Sequence, residues 1–193
     1  MQASLTAMAG PRRWTVLETE FLQNCAVFSV SRTLAKSPRT GESHSFYRID
    51  SEDWVNIVPV TPGGDIVLVK QYRHGLEGFT VETPGGMVDR GETPIEAAGR
   101  ELLEETGYRA AEIVPLGGVN PNPALFGNTL HAFLGRDVER VAEVRNESTE
   151  ETHVEVVSPA ELHRLVSAGA VNHALVIAVL YLLDLARRGD RRE

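Results

Sequence analysis

The chain is built mostly from short apolar runs bounded by turn residues, with one long stretch of helical spacing near its middle. Trp14 to Leu22 and Ala26 to Leu34 are rich in Val, Phe, Thr and Trp and read as two strands separated by Gln23-Asn24-Cys25. Ser37 to Ser45 is a loop by its Pro, Gly and Ser content, and Phe46 to Ile49 a third strand. Trp54 to Val60 and Ile66 to Gln71 are strand-like runs joined by a turn at Pro62-Gly63-Gly64, and Thr80 to Thr83 is a short strand leading to Pro84. Further on, strands are expected at Ile113 to Asn120 and Thr129 to Leu134, on either side of the Pro-rich loop Asn120 to Asn128. Arg145 to Thr152 is too charged to be regular, and His153 to Val157 reads as a strand. Ser158, Pro159 and Glu161 mark a helix start for Ala160 to Ser167, and His173 to Arg188 forms the last helix.

The helical stretch lies between residues 93 and 107. Thr93 is its N-cap, Pro94 suits the first helical position and Glu96 completes a capping box. Gly107 marks the stop. Ile95, Ala98, Leu102 and Thr106 form one stripe at helical spacing, assigned to the core. At about 100° per residue, Glu101, Glu104 and Glu105 fall within a wedge of roughly 100° beside it. Three carboxylates so close repel one another, near a helix C-terminus where the dipole favours cations. A solvated face is the ordinary explanation of such text. A local rule broken in this way is also expected at a functional site, and a hard cation such as Mg²⁺ would relieve the repulsion.

Strands in pairs around one helix, with two helices at the end, argue for an α/β fold with a mixed sheet between helices. At 193 residues the chain fits one ordinary domain with a small extension. The division expected is an N-terminal antiparallel β extension over residues 1–50 and a main domain over 51–193. The extension has too little core of its own, which points to packing on a second subunit and a homodimer. A net charge of −8 gives no basic footprint for nucleic acid. The single Cys25 excludes an internal disulfide and, with no secretory pattern in Met1 to Gly10, suggests a reducing, cytoplasmic setting. Ala174 to Ala186 is the most apolar stretch, but it is short and carries Asp184, so a buried or amphipathic helix is expected there and not a membrane span.

Gly86, Glu92, Arg100, Glu101, Leu102, Glu104, Glu105 and Gly107 stand at the spacing G-x5-E-x7-R-E-U-x-E-E-x-G-U, with U a bulky apolar residue. The segment resembles the Nudix box, and only Tyr108 departs from it, at a position that is usually aliphatic. Seven fixed residues at roughly one in fifteen each make a chance match on the order of one in 10⁸ per start. The resemblance extends along most of the chain. QYRHG and ETPGG before the box, and NPNPALFGN after it, look like the ADP-ribose and nucleoside-diphosphate-sugar branch of the family, with Pro123 at the position of a proline some fifteen residues past the box. It implies an α/β/α sandwich and hydrolysis of a diphosphate linking a nucleoside to a sugar. The products would be a nucleoside monophosphate and a sugar phosphate.

The residue types suit that chemistry. A diphosphate resists hydrolysis because its charge repels nucleophiles, so catalysis is mostly positioning and charge neutralisation. Glu101 and Glu105, with Glu104, would hold two or more Mg²⁺ ions (Mn²⁺ as a substitute), and the resemblance adds the backbone carbonyl of Gly85. Gly85 and Gly86 allow phosphates to approach the backbone. Arg100 either orients a carboxylate by paired hydrogen bonds, with Glu92 beside it, or is a surface cation. Family members of this branch often supply a general base from a late loop. Glu147, Glu150 and Glu151 lie in one, with Glu150 favoured over Glu151 by the spacing to Val154-Glu155-Val156. Arg73 is the choice for a phosphate contact, since a planar fork suits phosphate oxygens. Glu82 contacts substrate or pairs with Arg73, and Trp54 either stacks on a base or belongs to the core. The scattered histidines lack ligand spacing. Other diphosphate substrates (a dinucleoside polyphosphate, a cofactor or capped RNA) and a non-catalytic binding module stay open as alternatives, the acidic charge arguing against RNA and the intact glutamates against the module.

Overall fold

The computed structural model describes residues 10–146 and 151–189, arranged in two compact units. The smaller takes the chain up to Ser51 together with Asn122–Gly127. Three strands, β1 (Thr15–Asn24), β2 (Ser29–Lys36) and β3 (Ser43–Asp50), form an antiparallel sheet in sequence order. The Ile49 amide donates to Leu125 O at 2.8 Å, which ties the 122–127 segment to this unit. Its three strands match the expectation, with β3 longer because Ser43 to Ser45, read as loop from their composition, pair with Leu34 to Lys36. Only Ser31, Ala35 and Ser37 are buried among the unit's described residues, while Val16, Phe21 and Tyr47 are more than half exposed.

The larger unit, Glu52–Pro121 with Asn128 onward, is layered. Its central strands are β4 (Trp54–Pro59) and β5 (Ile66–Arg73). β4 pairs in parallel with β10 (Leu130–Arg136) and antiparallel with the short β7 (Gly85–Met87), and β9 (Glu112–Val119) closes a mixed four-stranded sheet. β5 lies between β12 (Thr152–Val157) and β6 (Gly78–Glu82), both antiparallel to it. A two-stranded ribbon joins β8 (Tyr108–Arg109) to β11 (Glu139–Arg140).

Alternation along these strands produces two cores. Val55 and Ile57 of β4, Val67 of β5 and Phe133 of β10 pack with Ala97, Ala98 and Leu102 of α1 (Pro94–Thr106). Val58, Ile66, Leu68, Leu130 and Ala132 point the other way, onto Val179 and Leu183 of α3 (Ala174–Gly189). Strands apolar on both faces need cover on both, and α1 and α3 supply it. This is the α/β/α arrangement expected. α2 (Pro159–Ser167) is capped by the Ser158 side chain. No helix among the described residues is long and apolar enough to cross a membrane.

Three details correct the sequence reading. The glycines at 85 and 86, to which the sequence assigned no strand, belong to β7. β8 and β11 were not expected, since strands of two residues carry no periodicity. On α1, Ile95 is 42% exposed, whereas Ala97 and Glu105 are buried with Ala98, Leu102 and Thr106. The core stripe is therefore rotated toward the glutamates.

Candidate active site

α1 begins as its sequence dictates. Thr93 has extended backbone, its hydroxyl accepts from the Glu96 amide, and Glu96 reaches back to the Thr93 amide at 2.8 Å. The helix ends at Gly107 with φ 73°, and a side chain there would collide with Ala142 O. Between these caps the helix presents Arg100, Glu101, Glu104 and Glu105 to a cleft of about 790 Å³, a volume ordinary for a small-molecule site. The opposite walls bring Arg73, Thr80 and Glu82 from β5 and β6, Asn56 from β4, Asn172 and His173 just before α3, and Leu175 at its start.

Arg100 organises the carboxylate side. Its Nε and Nη2 donate to Glu92 at 3.1 and 3.0 Å, its Nη1 to Glu101 at 2.8 Å and Glu104 at 3.1 Å, and its Nη2 also to Met87 O at 3.0 Å. The Glu92 hydrogen bonds, followed by the charge of Glu101, raise its pKa far above that of a free guanidinium, despite partial burial. Glu92 is correspondingly lowered, chiefly by its hydrogen bonds from Arg100. Arg100 thus makes the paired carboxylate contacts of the orienting reading. The repulsion expected between Glu101 and Glu104 is relieved here by one guanidinium.

Glu105 turns inward. It is 3% exposed, and its Oε2 accepts from the Gly85 amide at 3.0 Å. Gly85 and Gly86 are demanded by space. A Cβ on Gly85 would run into Val55 O and the Asn56 amide, and one on Gly86 into the carboxylate of Glu101. Asn56 clamps this turn from below, its Nδ2 donating to Thr83 O at 3.1 Å and Pro84 O at 3.4 Å. Nothing in the sequence singled out Asn56, because a polar residue inside an apolar strand shows its use only once its partners are known.

Among the described residues, no three His, Cys, Asp or Glu side chains gather round one point as a ligand set would. Glu101 and Glu104 are drawn to Arg100, and Glu105 to Gly85. The donors still suit a hard divalent cation. They are carboxylate oxygens on one helical turn beside a backbone free of side chains, with Glu101 packed directly on Gly86.

On the far wall Glu82 is 2% exposed and accepts from Arg73 Nε at 2.9 Å and Nη2 at 2.8 Å, and from Thr80 Oγ1 at 2.5 Å. Burial pushes its pKa up. The paired Arg73 bonds and charge, with Thr80 and the charge of His173, outweigh burial and leave it below the usual carboxylate value. Of the two readings of Glu82, pairing with Arg73 is the one seen. Trp54 both lines the cleft and packs against the core beneath α3, so its core role is seen as well. Pro123 belongs with the smaller unit. Glu147 and Glu150 lie outside the described residues, and Glu151 is exposed, immediately before β12.

These features define a helix-borne carboxylate cluster with its glycine strand, and the NUDIX domain pattern matches residues 52–179, across most of this unit. The chain belongs to the Nudix family. Among its relatives, this Nudix protein is 35% identical to an ADP-ribose pyrophosphatase of Bacillus subtilis, over 68% of this chain and 71% of that one. It is 29% identical to the mouse ADP-sugar pyrophosphatase, over 96% and 93% of the two chains. A solved structure of an ADP compounds hydrolase shares the fold, with a TM-score of 0.83 at 22% identity, covering 96% of this chain and all of that one.

Proposed function

We propose that this Nudix protein hydrolyses the diphosphate bond of ADP-ribose or a related nucleoside-diphosphate sugar, with Mg²⁺ as the natural metal and Mn²⁺ as a substitute. The observation that carries the reading is the joining, in one cleft, of the Arg100-organised glutamate turn and the Arg73–Glu82 pair. Relatives named ADP-ribose and ADP-sugar pyrophosphatases support the substrate class.

Glu101, Glu104 and Glu105, with the Gly85 carbonyl, would hold the metal. Bound there, a divalent cation neutralises diphosphate charge and lowers the pKa of an attacking water. The water oxygen forms a bond to one phosphorus and the bond to the bridging oxygen breaks. The bridging oxygen leaves on the other phosphate, and the proton of the water passes to a carboxylate. Glu150 is the proposed base, with Glu151 the alternative in the same segment. Arg100 keeps Glu101 and Glu104 in place by its fork. Arg73 is 43% exposed at its side chain even while paired with Glu82, so its outer face can meet a phosphate oxygen. Gly86 lets that phosphate approach the backbone. Pro123 is proposed to contribute to substrate binding, and the N-terminal sheet of residues 1–50 to pair two copies of the chain in a cytoplasmic homodimer.

The test is a panel of ADP-ribose, GDP-mannose, UDP-glucose, FAD and dinucleoside polyphosphates, each with a coupled phosphatase. Hydrolysis of a nucleoside-diphosphate sugar to monophosphate and sugar phosphate is expected. Nucleotide binding without turnover of any of them would leave a binding module. Within the late segment, Glu150→Gln should cut turnover far more than Glu147→Gln at unchanged metal affinity. Damage from Glu151→Gln alone would move the base by one residue.

A further inference from the structure

The last turn of α1 carries the carboxylates of the site, and its cap draws on donors outside the helix as well as on Gly107. No basic residue stands in it, and the Gly107 amide returns to Leu103 O at 2.8 Å; the last carbonyls of an α-helix take donors from outside it, and those of Glu104 and Glu105 are among them. Both are satisfied from one outside segment. The Arg145 amide donates to Glu104 O at 2.8 Å, and Thr152 Oγ1 lies 2.9 Å from Glu105 O. Thr152 is fixed in turn, as the first residue of β12, paired with Gln71 in the sheet.

A second contact bears on the direction of the hydroxyl. Thr152 Oγ1 also lies 2.8 Å from Asn146 Oδ1. A hydroxyl has one proton and cannot donate to two oxygens at once. The two ends of an amide are interchangeable in position, and with the Asn146 N–H₂ assigned toward Thr152 in place of Oδ1 all three groups would be satisfied. The result is a relay from the Asn146 amide to the Thr152 hydroxyl to the Glu105 carbonyl, each bond polarising the next. Glu105 is then held at both ends, by Thr152 through its backbone and by the Gly85 amide through its carboxylate.

We propose that Asn146 and Thr152 are positioning residues that set the carboxylates of the glutamate turn for metal binding. Neither belongs to the Nudix box. The inference rests on the metal role proposed above for Glu101, Glu104 and Glu105.

The test uses the full-length protein. Mn²⁺ alone is titrated without substrate, followed by electron paramagnetic resonance, and kcat and KM for ADP-ribose are measured on the same samples. Thr152→Val keeps the shape and removes the donor. Its Mn²⁺ dissociation constant should rise about five- to tenfold, and kcat should fall while KM moves less than about twofold. Thr152→Ser should restore both, and Asn146→Ala should weaken Mn²⁺ binding in the same direction by less. A Thr152→Val protein that melts earlier but binds Mn²⁺ and turns over normally would overturn the inference, as would failure of Thr152→Ser to restore it. Wild-type protein that neither binds Mn²⁺ nor hydrolyses any diphosphate would instead overturn the proposed function beneath it.

Discussion

Arg100 shows how much one side chain can carry in this site. It reaches Glu92, Glu101, Glu104 and Met87 O, which no ammonium could do with a single point of charge. Arg100→Lys should therefore lower turnover by about ten- to a hundredfold and weaken Mn²⁺ binding, measured by steady-state rates and metal titration. Unchanged values would mean that the glutamates keep their places unaided. Glu82 carries a different consequence. Its carboxyl is held below the ordinary value of 4.5, so the folded state holds it charged where the unfolded state would begin to protonate. Its contribution to stability is full above that pH and is lost as pH falls through the lowered folded value. Glu82→Gln should accordingly flatten the acid limb of the melting temperature below about pH 4.5. Removing Arg73 at neutral pH leaves a buried carboxylate unpaired. Arg73→Met should cost about 2–3 kcal/mol, less than the about 3–5 of a fully buried pair, since Arg73 keeps contact with water. Chemical denaturation of both variants checks the two claims. The pairing of Glu82 was one of two readings open in the sequence. The register of β5 and β6 sets Val69 opposite Glu82 and Arg73 opposite Gly78, so only the folded side chains show the pair meeting.

At the scale of elements, the ends of α1 were legible and its orientation was not. Thr93, Pro94, Glu96 and Gly107 act through local backbone geometry, so their chemistry reads directly from spacing. Thr93→Ala should cost about 1 kcal/mol. Gly107→Ala should cost more, because it adds left-handed strain and drives a methyl into Ala142 O. The order of the two melting temperatures checks this, and a milder loss at Gly107 would contradict it. The core face was misjudged at Ile95 and Glu105 for a non-local reason. What buries Glu105 is the Gly85 amide, twenty residues away on β7, and no periodicity reports such a partner. The long strands β4, β5, β9 and β10 were found from apolar runs. β7, β8 and β11 were not, since two or three residues cannot show a period. The candidate site was legible because the box residues keep a fixed spacing along one helix. Asn56, Thr80 and Thr152 were hidden, being defined by tertiary contacts alone.

For the whole molecule, the smaller unit is a three-stranded sheet with Val16, Phe21 and Tyr47 exposed and hardly any core. A sheet of this kind needs a partner surface. Light scattering at micromolar concentration should give twice the chain mass of 21.1 kDa, and a monomer would contradict the proposed dimer. Deleting residues 1–49 should cost solubility and substrate affinity together. The larger unit holds the cleft, and the proposed function stands or falls on whether the glutamate turn of α1 serves catalysis and not merely the fold. Glu105→Gln addresses this most directly. The amide keeps the size of the side chain and still offers an oxygen to the Gly85 amide, while it removes one anionic ligand. The decisive measurement is the rate of ADP-ribose hydrolysis by purified Glu105→Gln at saturating Mg²⁺, beside its melting temperature without metal. Turnover should fall by about 10²–10³ with the melting temperature held or slightly raised. Near-normal hydrolysis by a stably folded variant would contradict it.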